Sequence, residues 1–150
     1  MDERYPEVYR VDEHGQRHEH GIRAEVSLAN PKYRAFVTRL VTAMAEHYGH
    51  DPRVWGWQVD NEPGTFLDYS DSARAAFQTW LQKKYGSIEA MNTAWAGSFW
   101  STRYGSFKQV HLPNATLAAE DKLSPHAQLD FARYQADVTA NFLDDQALII

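Results

Sequence analysis

The stretch RVWGWQVDNEPG, residues 53–64, decides how the rest of the chain is interpreted. Its first part is short, rich in Val and Trp and without clean polar alternation, as in a strand buried on both faces of a parallel α/β sheet. Pro63 and Gly64 cannot continue a strand, so Asn61 and Glu62 stand at its carboxyl end. In (β/α)₈ barrels, functional side chains lie at that end of the strands.

The chemistry of this pair suits a bound sugar. The Asn61 amide can donate and accept, and so can hydrogen-bond a hydroxyl group. Cleavage of a glycosidic bond needs two carboxyl groups: one protonates the leaving oxygen, and the other attacks or activates water. Glu62 is a candidate for one of them. Taken without further context, Glu62 is equally well a charged loop residue that happens to follow a strand.

A long helix is predicted before this strand, over about residues 31–48. Asn30 can cap its first turn, and Pro31 takes the first helical position, where a missing N–H costs nothing. Gly49 suits its carboxyl end. Apolar residues recur at steps of three and four along it. They are Tyr33, Phe36, Val37, Leu40, Val41, Met44 and Tyr48.

Two more helices are predicted after the strand. Ser70 or Asp71 can cap the first, and Gly86 ends it. Its apolar residues are Ala73, Phe77, Trp80, Leu81 and Tyr85. Ser87 can cap a shorter helix, which carries Ile88, Met91 and Trp95.

The remainder of the chain is predicted to be a long irregular segment and a last helix. Residues 96–123 show no sustained apolar period, and Ser124 and Pro125 open a helix that continues to the end of the sequence. We expect its buried face to hold Leu129, Ala132, Ala136 and Leu143.

Length and composition limit the class of protein. The chain has 150 residues and 43% hydrophobic residues, which suffice for one small domain. However, a single strand is not a sheet, so the order of elements indicates a piece of a larger α/β fold. A net charge of −5, with no stripe of Lys or Arg, argues against a nucleic-acid binder.

Other features point to a location away from membranes. No run of residues approaches the ~18 apolar residues of a membrane span. The first residues are charged and lack the apolar region of a secretory signal. The absence of cysteine excludes disulfides and thiolate metal sites. We therefore expect a cytoplasmic protein.

Aromatic residues make up 13% of the chain and include five Trp. Such rings can stack on the apolar faces of sugars, but a Trp-rich core is the simpler explanation. Core packing is the prediction for Trp55 and Trp57 in the strand, and for Trp80 and Trp95 on helical stripes. Trp100, in the irregular segment, is the candidate for the rim of a sugar site.

Several segments, in order along the chain, resemble the family 42 β-galactosidases, which are retaining glycoside hydrolases with (β/α)₈ barrels. They are YPEVYRVDEHGQR, GIRAEVSLANPKYRAFV, YGHDPRVWGWQVDNE, WLQKKYGSIEAMNTAWAGSFWS and LDFARYQADV. The Asn-Glu pair is shared by the larger clan of retaining glycoside hydrolases to which this family belongs. The segment KYGSIEAMNTAWAGSFWS, in contrast, is specific to the family. The resemblance implies α/β fold class, with residues 1–150 forming part of a TIM barrel around its fourth strand. The first strands and the carboxyl-terminal half of the barrel would then lie outside this sequence.

The resemblance also implies roles for particular residues. Glu62 matches the general acid/base, Asn61 matches the neighbour that bonds the 2-hydroxyl of galactose, and Arg23 matches an arginine near its 4-hydroxyl. The nucleophile of the family is a glutamate near the seventh strand. We expect it outside this sequence, because neither Glu89 nor Glu120 follows a predicted strand.

No metal or other cofactor is expected. Many family members hold a structural zinc with cysteines, but this chain has Ser27 and DYSDSARAA, residues 68–76, in the corresponding regions. His14, His18 and His20 are the other metal candidates, and their irregular spacing in a polar segment favours a solvated loop.

The sequence thus predicts a fragment of a retaining exo-β-galactosidase that acts on terminal β-D-galactose, with a galactoside as its partner and, by resemblance, a trimeric parent. One alternative is another β-glycosidase of the clan, such as an arabinosidase or a glucosidase. A second alternative is a truncated product without catalytic activity. The chain by itself is expected to be helical, inactive and poorly ordered in its tertiary structure.

Overall fold

The computed structural model describes residues 3–21, 25–63, 67–99, 101–113 and 124–150. Within these ranges the chain is helix-rich. Its α-helices are α1 (Pro31–Tyr48), α2 (Asp71–Tyr85), α3 (Ile88–Ala94) and α4 (Pro125–Ala147), and short 3₁₀ turns occupy Pro6–Val8 and Phe107–Gln109. All four α-helices were predicted from the sequence, and the described parts of 96–113 are otherwise irregular, as expected.

Side-chain caps start all four helices where the sequence predicts them. The side-chain oxygen of Asn30, Oδ1, accepts from the backbone N–H groups of Lys32 and Tyr33, which have no partner inside α1. The hydroxyls of Ser70, Ser87 and Ser124 accept in the same way at α2, α3 and α4. Because these bonds are local, residue type alone predicts them.

The core lies between α2, α3, the first half of α4 and the segment before it. Phe77 is fully buried and its ring centroid lies 5.6 Å from that of Phe131 and 5.3 Å from that of Tyr134. Trp95 is buried, and Trp80 is partly buried against the same cluster, so the core prediction for both is confirmed. The buried members are Ala73, Phe77, Leu81, Met91, Trp95, Val110, Leu112, Ala127, Phe131 and Tyr134.

The predicted buried face of α4 is wrong. Leu129 is 50% exposed, Ala132 and Ala136 are exposed, and Leu143 is partly buried. The opposite side packs inward. Its buried residues are Ala127, Asp130, Phe131, Tyr134, Gln135, Phe142 and Gln146. The reason is the larger apolar area of the three aromatic rings, whose burial outweighs that of the small aliphatic stripe.

The predicted strand does not form. Residues 53–60 are neither helix nor strand, and the described residues contain only isolated antiparallel bridges, Tyr9 with Val26 and Val11 with Arg17. A strand requires a neighbouring strand to pair its backbone, and the described residues supply none here. Consequently Trp55 is 96% exposed and Trp57 is only partly buried, so the core prediction for Trp55 is also wrong.

Contacts of Arg34 join α1 to α4. Its Nη1 lies 2.5 Å from Oδ2 of Asp145, its Nη2 donates to the Val138 carbonyl, and its Nε donates to the Leu28 carbonyl. Nearby, the rings of Tyr33 and Phe142 stack with centroids 5.9 Å apart. Farther along α1 the apolar stripe loses these contacts, and Leu40 is 61% exposed. An apolar groove therefore opens between the two helices.

Candidate functional site

The groove between α1 and α4 encloses about 690 Å³, and the predicted catalytic pair lies at its edge. Apolar side chains of both helices form its walls, among them Val37, Val41 and Val138. Residues 59–63 also line it and bring polar groups to a largely apolar surface.

Asn61 and Glu62 are both exposed, and both line this groove. Glu62 has a φ of 51°, in the left-handed region that residues other than glycine seldom occupy. Such a conformation costs on the order of 1–3 kcal/mol and recurs at functional sites. Pro63 follows directly and fixes its own φ, so the turn is sterically restricted at Glu62 and at the residue after it.

Local hydrogen bonds shape the turn before Glu62. The Gln58 side-chain amide donates to the backbone carbonyl of Asp60 at 2.8 Å and to Oδ1 of Asn61 at 3.3 Å. The Asp60 carboxylate in turn accepts from the backbone N–H of Asn61 at 2.7 Å. Gln58 and Asp60 therefore orient the candidate site. A sequence signal for them existed, because both are polar within a stretch that otherwise reads as a buried strand.

Tyr33 is a residue of this site that sequence reasoning assigned only to the apolar stripe of α1. It lines the groove with Asn61 and Glu62. Burial raises the pKa of the Tyr33 hydroxyl, and the negative charge of Asp60 raises it further. The phenol therefore stays protonated at neutral pH and keeps a proton that it can donate at the groove.

Arg23 and Trp100, the other predicted substrate-binding residues, lie outside the described residues. Their roles remain predictions. Glu25, two positions after Arg23, is buried and pairs with both Arg10 and His18.

The two regions in which the family resemblance implies zinc ligands come together in the structure. Ser27 is fully buried, and its hydroxyl oxygen lies 3.4 Å from that of Ser70, which is also buried. Neither is a ligand that zinc favours. Across the described residues, no group of three or more His, Cys, Asp or Glu side chains is arranged to hold a metal ion.

The candidate histidines do not form a cluster. His18 pairs with the Glu25 carboxylate, whereas His14 lies 3.7 Å from Glu13 on the exposed surface. As for membranes, none of the helices in the part of the chain that the structure describes is both long and apolar enough to span one.

Comparisons with known proteins agree on one family. The family profile described as β-galactosidase, of glycoside hydrolase family 42, matches residues 1–150. A β-galactosidase of Thermus thermophilus is 41% identical over 143 residues, which cover 93% of this chain and 22% of that protein. The β-galactosidase Bga of Halorubrum lacusprofundi is 37% identical over 145 residues, which cover 95% of this chain and 20% of that protein.

Solved structures match equally well. The β-galactosidase of the psychrophilic Marinomonas ef1 superposes with a TM-score of 0.91 at 40% identity, over 99% of this chain and 23% of that one. A catalytic glutamate-to-alanine mutant of Gan42B, a β-galactosidase from G. stearothermophilus, superposes with a TM-score of 0.90 at 31% identity, over 99% of this chain and 21% of that one. The neighbours are TIM-barrel enzymes matched in part, so the predicted fold class, a partial (β/α)₈ barrel, is confirmed. The chain spans about a fifth of the length of these relatives.

Proposed function

The chain belongs to the family 42 β-galactosidases of the glycoside hydrolases, and from this we propose that it carries the general acid/base of a retaining exo-β-galactosidase. The complete enzyme would hydrolyse terminal, non-reducing β-D-galactose residues of β-D-galactosides. One observation carries the proposal: the exposed Asn61 and Glu62 pair lies at the edge of the groove, with Glu62 in a restricted backbone conformation.

In the proposed double displacement, Glu62 acts twice. It first donates its proton to the glycosidic oxygen, while a glutamate from another part of the enzyme attacks the anomeric carbon and releases the aglycone as an alcohol. The Glu62 carboxylate then takes a proton from water, whose oxygen attacks the galactosyl-enzyme ester. Galactose leaves, both carboxyl groups return to their starting states, and no oxidant or cofactor is consumed.

The remaining assignments are part of the same proposal. Asn61 would bond the 2-hydroxyl of galactose, a contact that can strengthen in the transition state. Arg23 would contact the sugar near its 4-hydroxyl, and Trp100 would form part of the rim. Residues 1–150 would be one portion of the catalytic barrel, in a cytoplasmic enzyme that assembles as a trimer.

Replacement of Glu62 by Gln in the complete enzyme tests the proposal. The variant should lower kcat/KM on lactose by about 10²–10⁴-fold, because an amide cannot protonate the leaving oxygen. A dinitrophenyl galactoside, whose leaving group needs no proton, should lose far less. Azide should restore turnover of the dinitrophenyl galactoside by the Glu62→Gln variant and yield β-galactosyl azide, since an anion needs no general base.

Glu89→Gln is the matched control, because Glu89 is an exposed glutamate of α3 outside the groove. It should leave both substrates unaffected. Full activity of Glu62→Gln on lactose would exclude Glu62 as the acid. A panel of nitrophenyl glycosides, with arabinoside and glucoside among them, then establishes whether galactose is the preferred sugar of the complete enzyme.

A further inference from the structure

Residues 8–11, here called the strap, lie between two segments that the proposed function needs. On one side, the backbone N–H of Ser27 donates to the Val8 carbonyl at 2.8 Å, and that of Arg10 donates to the Glu25 carbonyl at 2.9 Å. The strap is thereby bonded to the segment that follows Arg23.

On its other side, the strap is bonded to the segment that follows Glu62. The backbone N–H of Tyr69 donates to the Val11 carbonyl at 2.8 Å, and the N–H of Val11 donates to Oδ1 of Asp68 at 3.2 Å. One short stretch of backbone therefore joins residues 25–27 to residues 68–69. Neither Arg23 nor Glu62 is more than six positions from these contacts along the chain.

Among the described residues of this junction, only the Asp68 side chain accepts hydrogen bonds both from the strap and from the segment that follows Glu62. It is 6% exposed. Its Oδ1 accepts from the backbone N–H groups of Val11 and Ser70, and its Oδ2 lies 3.1 Å from the Ser70 hydroxyl. The Ser70 hydroxyl in turn lies 3.4 Å from the fully buried hydroxyl of Ser27.

A buried carboxylate is held in place when donors satisfy its oxygens, since an ionised group without them is costly to remove from water. Three donors meet Asp68 from two different segments, so rotation of its side chain breaks bonds to both. Asp68 also lines the same groove as Glu62, and Val26 and Leu28 line it from the neighbouring segment. The junction therefore forms one wall of the candidate active site.

We propose that Asp68 is a positioning residue, which holds the loop after Glu62 against the segment after Arg23 and so fixes the direction of the acid/base carboxyl toward the glycosidic oxygen. This inference rests on the proposed function of Glu62. Proton transfer requires the donor within hydrogen-bond reach, and a displacement of 1 Å can cost about 10²-fold in rate.

The test compares kcat/KM on lactose with kcat/KM on dinitrophenyl galactoside in the complete enzyme. Asp68→Ala should lower the value for lactose about ten- to a hundredfold relative to the value for the activated substrate. Loss of folded enzyme lowers both values equally, so the ratio does not respond to a merely structural role. Asp68→Asn and Ser27→Ala, which keep more of the junction, should change the ratio less, and they serve if Asp68→Ala does not fold.

Asp71→Asn is the matched control, because the Asp71 side chain is 94% exposed in the same part of the chain. It should leave the ratio unchanged. An unchanged ratio in Asp68→Ala and Asp68→Asn, or an equal change in Asp71→Asn, overturns the positioning role. If Glu62→Gln leaves the ratio unchanged, the proposed function fails. If Glu62→Gln changes the ratio but the Asp68 variants do not, only the positioning role of Asp68 is rejected.

Discussion

Replacement of Asp130 should destabilise the core of this chain, although the residue is charged. Asp130 is 2% exposed in α4 and accepts from the Tyr85 hydroxyl at 2.5 Å and from the Trp95 indole N–H at 3.0 Å. The Lys84 ammonium pairs with its other oxygen. One carboxylate thus ties the end of α2 and the end of α3 to α4.

The magnitude follows from what the change leaves behind. In Asp130→Ala the Trp95 indole N–H, whose residue is 4% exposed, loses its acceptor, and the Tyr85 hydroxyl loses its own. A buried donor left without an acceptor costs about 1–3 kcal/mol, so the two together predict a loss of about 2–4 kcal/mol. Asp130→Asn keeps one carbonyl oxygen for these donors but loses the charge that strengthens their bonds, so we expect about 1.5–3 kcal/mol.

The pH dependence has a definite sign. Burial of the Asp130 carboxyl tends to raise its pKa, but hydrogen bonds from Lys84, Tyr85 and Trp95 outweigh burial and hold the pKa below its ordinary value. A depressed pKa stabilises the fold above the ordinary value of about 3.9, and this contribution is lost as the pH falls through the pKa of the folded state. The difference between wild type and Asp130→Asn should therefore shrink in acid.

Urea unfolding followed by far-ultraviolet circular dichroism measures these free energies, because it does not depend on the altered surroundings of Trp95. Asp137→Ala is the matched control: Asp137 lies on the same helix and also accepts from an indole N–H, that of Trp80 at 2.7 Å, but it is exposed. It should cost less than about 1 kcal/mol. Equal losses in Asp130→Ala and Asp137→Ala, or a loss in Asp130→Asn that is the same at pH 7 and pH 3, would refute the reasoning.

Three further outcomes are expected. Gly86→Ala should destabilise the chain by about 1–2 kcal/mol in urea unfolding, since Gly86 ends α2 at a φ of 72°, where a Cβ meets no neighbour but is strained by the backbone. Chelators should leave the melting temperature of the complete enzyme unchanged because the chain has no cysteine, and one bound zinc per chain in elemental analysis would contradict this. The 150-residue chain alone should hydrolyse a galactoside no faster than its Glu62→Gln variant, since an acid without a nucleophile cannot form the covalent intermediate.

The parts of the fold that depend on neighbours in sequence were predictable. Asn30, Ser70, Ser87 and Ser124 cap helices through bonds to residues two or three positions away, and Gly86 supplies the positive φ at which α2 ends. Each of these requires only the local residue type and the backbone that it favours. The helix limits therefore follow from the sequence without knowledge of the packing.

The packing itself was less predictable, because it depends on contacts distant in sequence. α4 has two apolar sides, and the sequence does not reveal that the side with Phe131 and Tyr134 meets Phe77 while Leu129 stays exposed. Asp130 illustrates the same difficulty. A charged residue is expected on the surface, yet donors that lie 35 to 46 positions away allow its burial.

The residues of the candidate site also differ in how far the sequence predicts them. The sequence predicts Asn61 and Glu62 because their order before Pro63 is itself the signal. Tyr33 and Asp68 were missed as groove residues, since nothing in their local pattern shows that the folded chain brings them to residues 59–63. Groups that carry chemistry can be recognised by type and order, whereas groups that hold them in place are recognised only through the contacts they make.

One side of the chain is closely packed, whereas the side that carries Glu62 is not. The core of α2, α3 and α4 is closed by buried rings, whereas the stripe of α1 and Trp55 remain exposed. In a (β/α)₈ barrel, such surfaces of the helices and strands face the barrel wall, and further strands would cover them. Glu62 lies on the more weakly packed side, where residues 53–60 form no strand that could fix it. We therefore expect the poor tertiary order of the isolated chain to be greatest on this side. Here Gln58, Asp60 and Asp68 hold the loop through hydrogen bonds, so the direction of the Glu62 carboxyl, the proposed acid/base, depends on a few polar contacts rather than on a packed core.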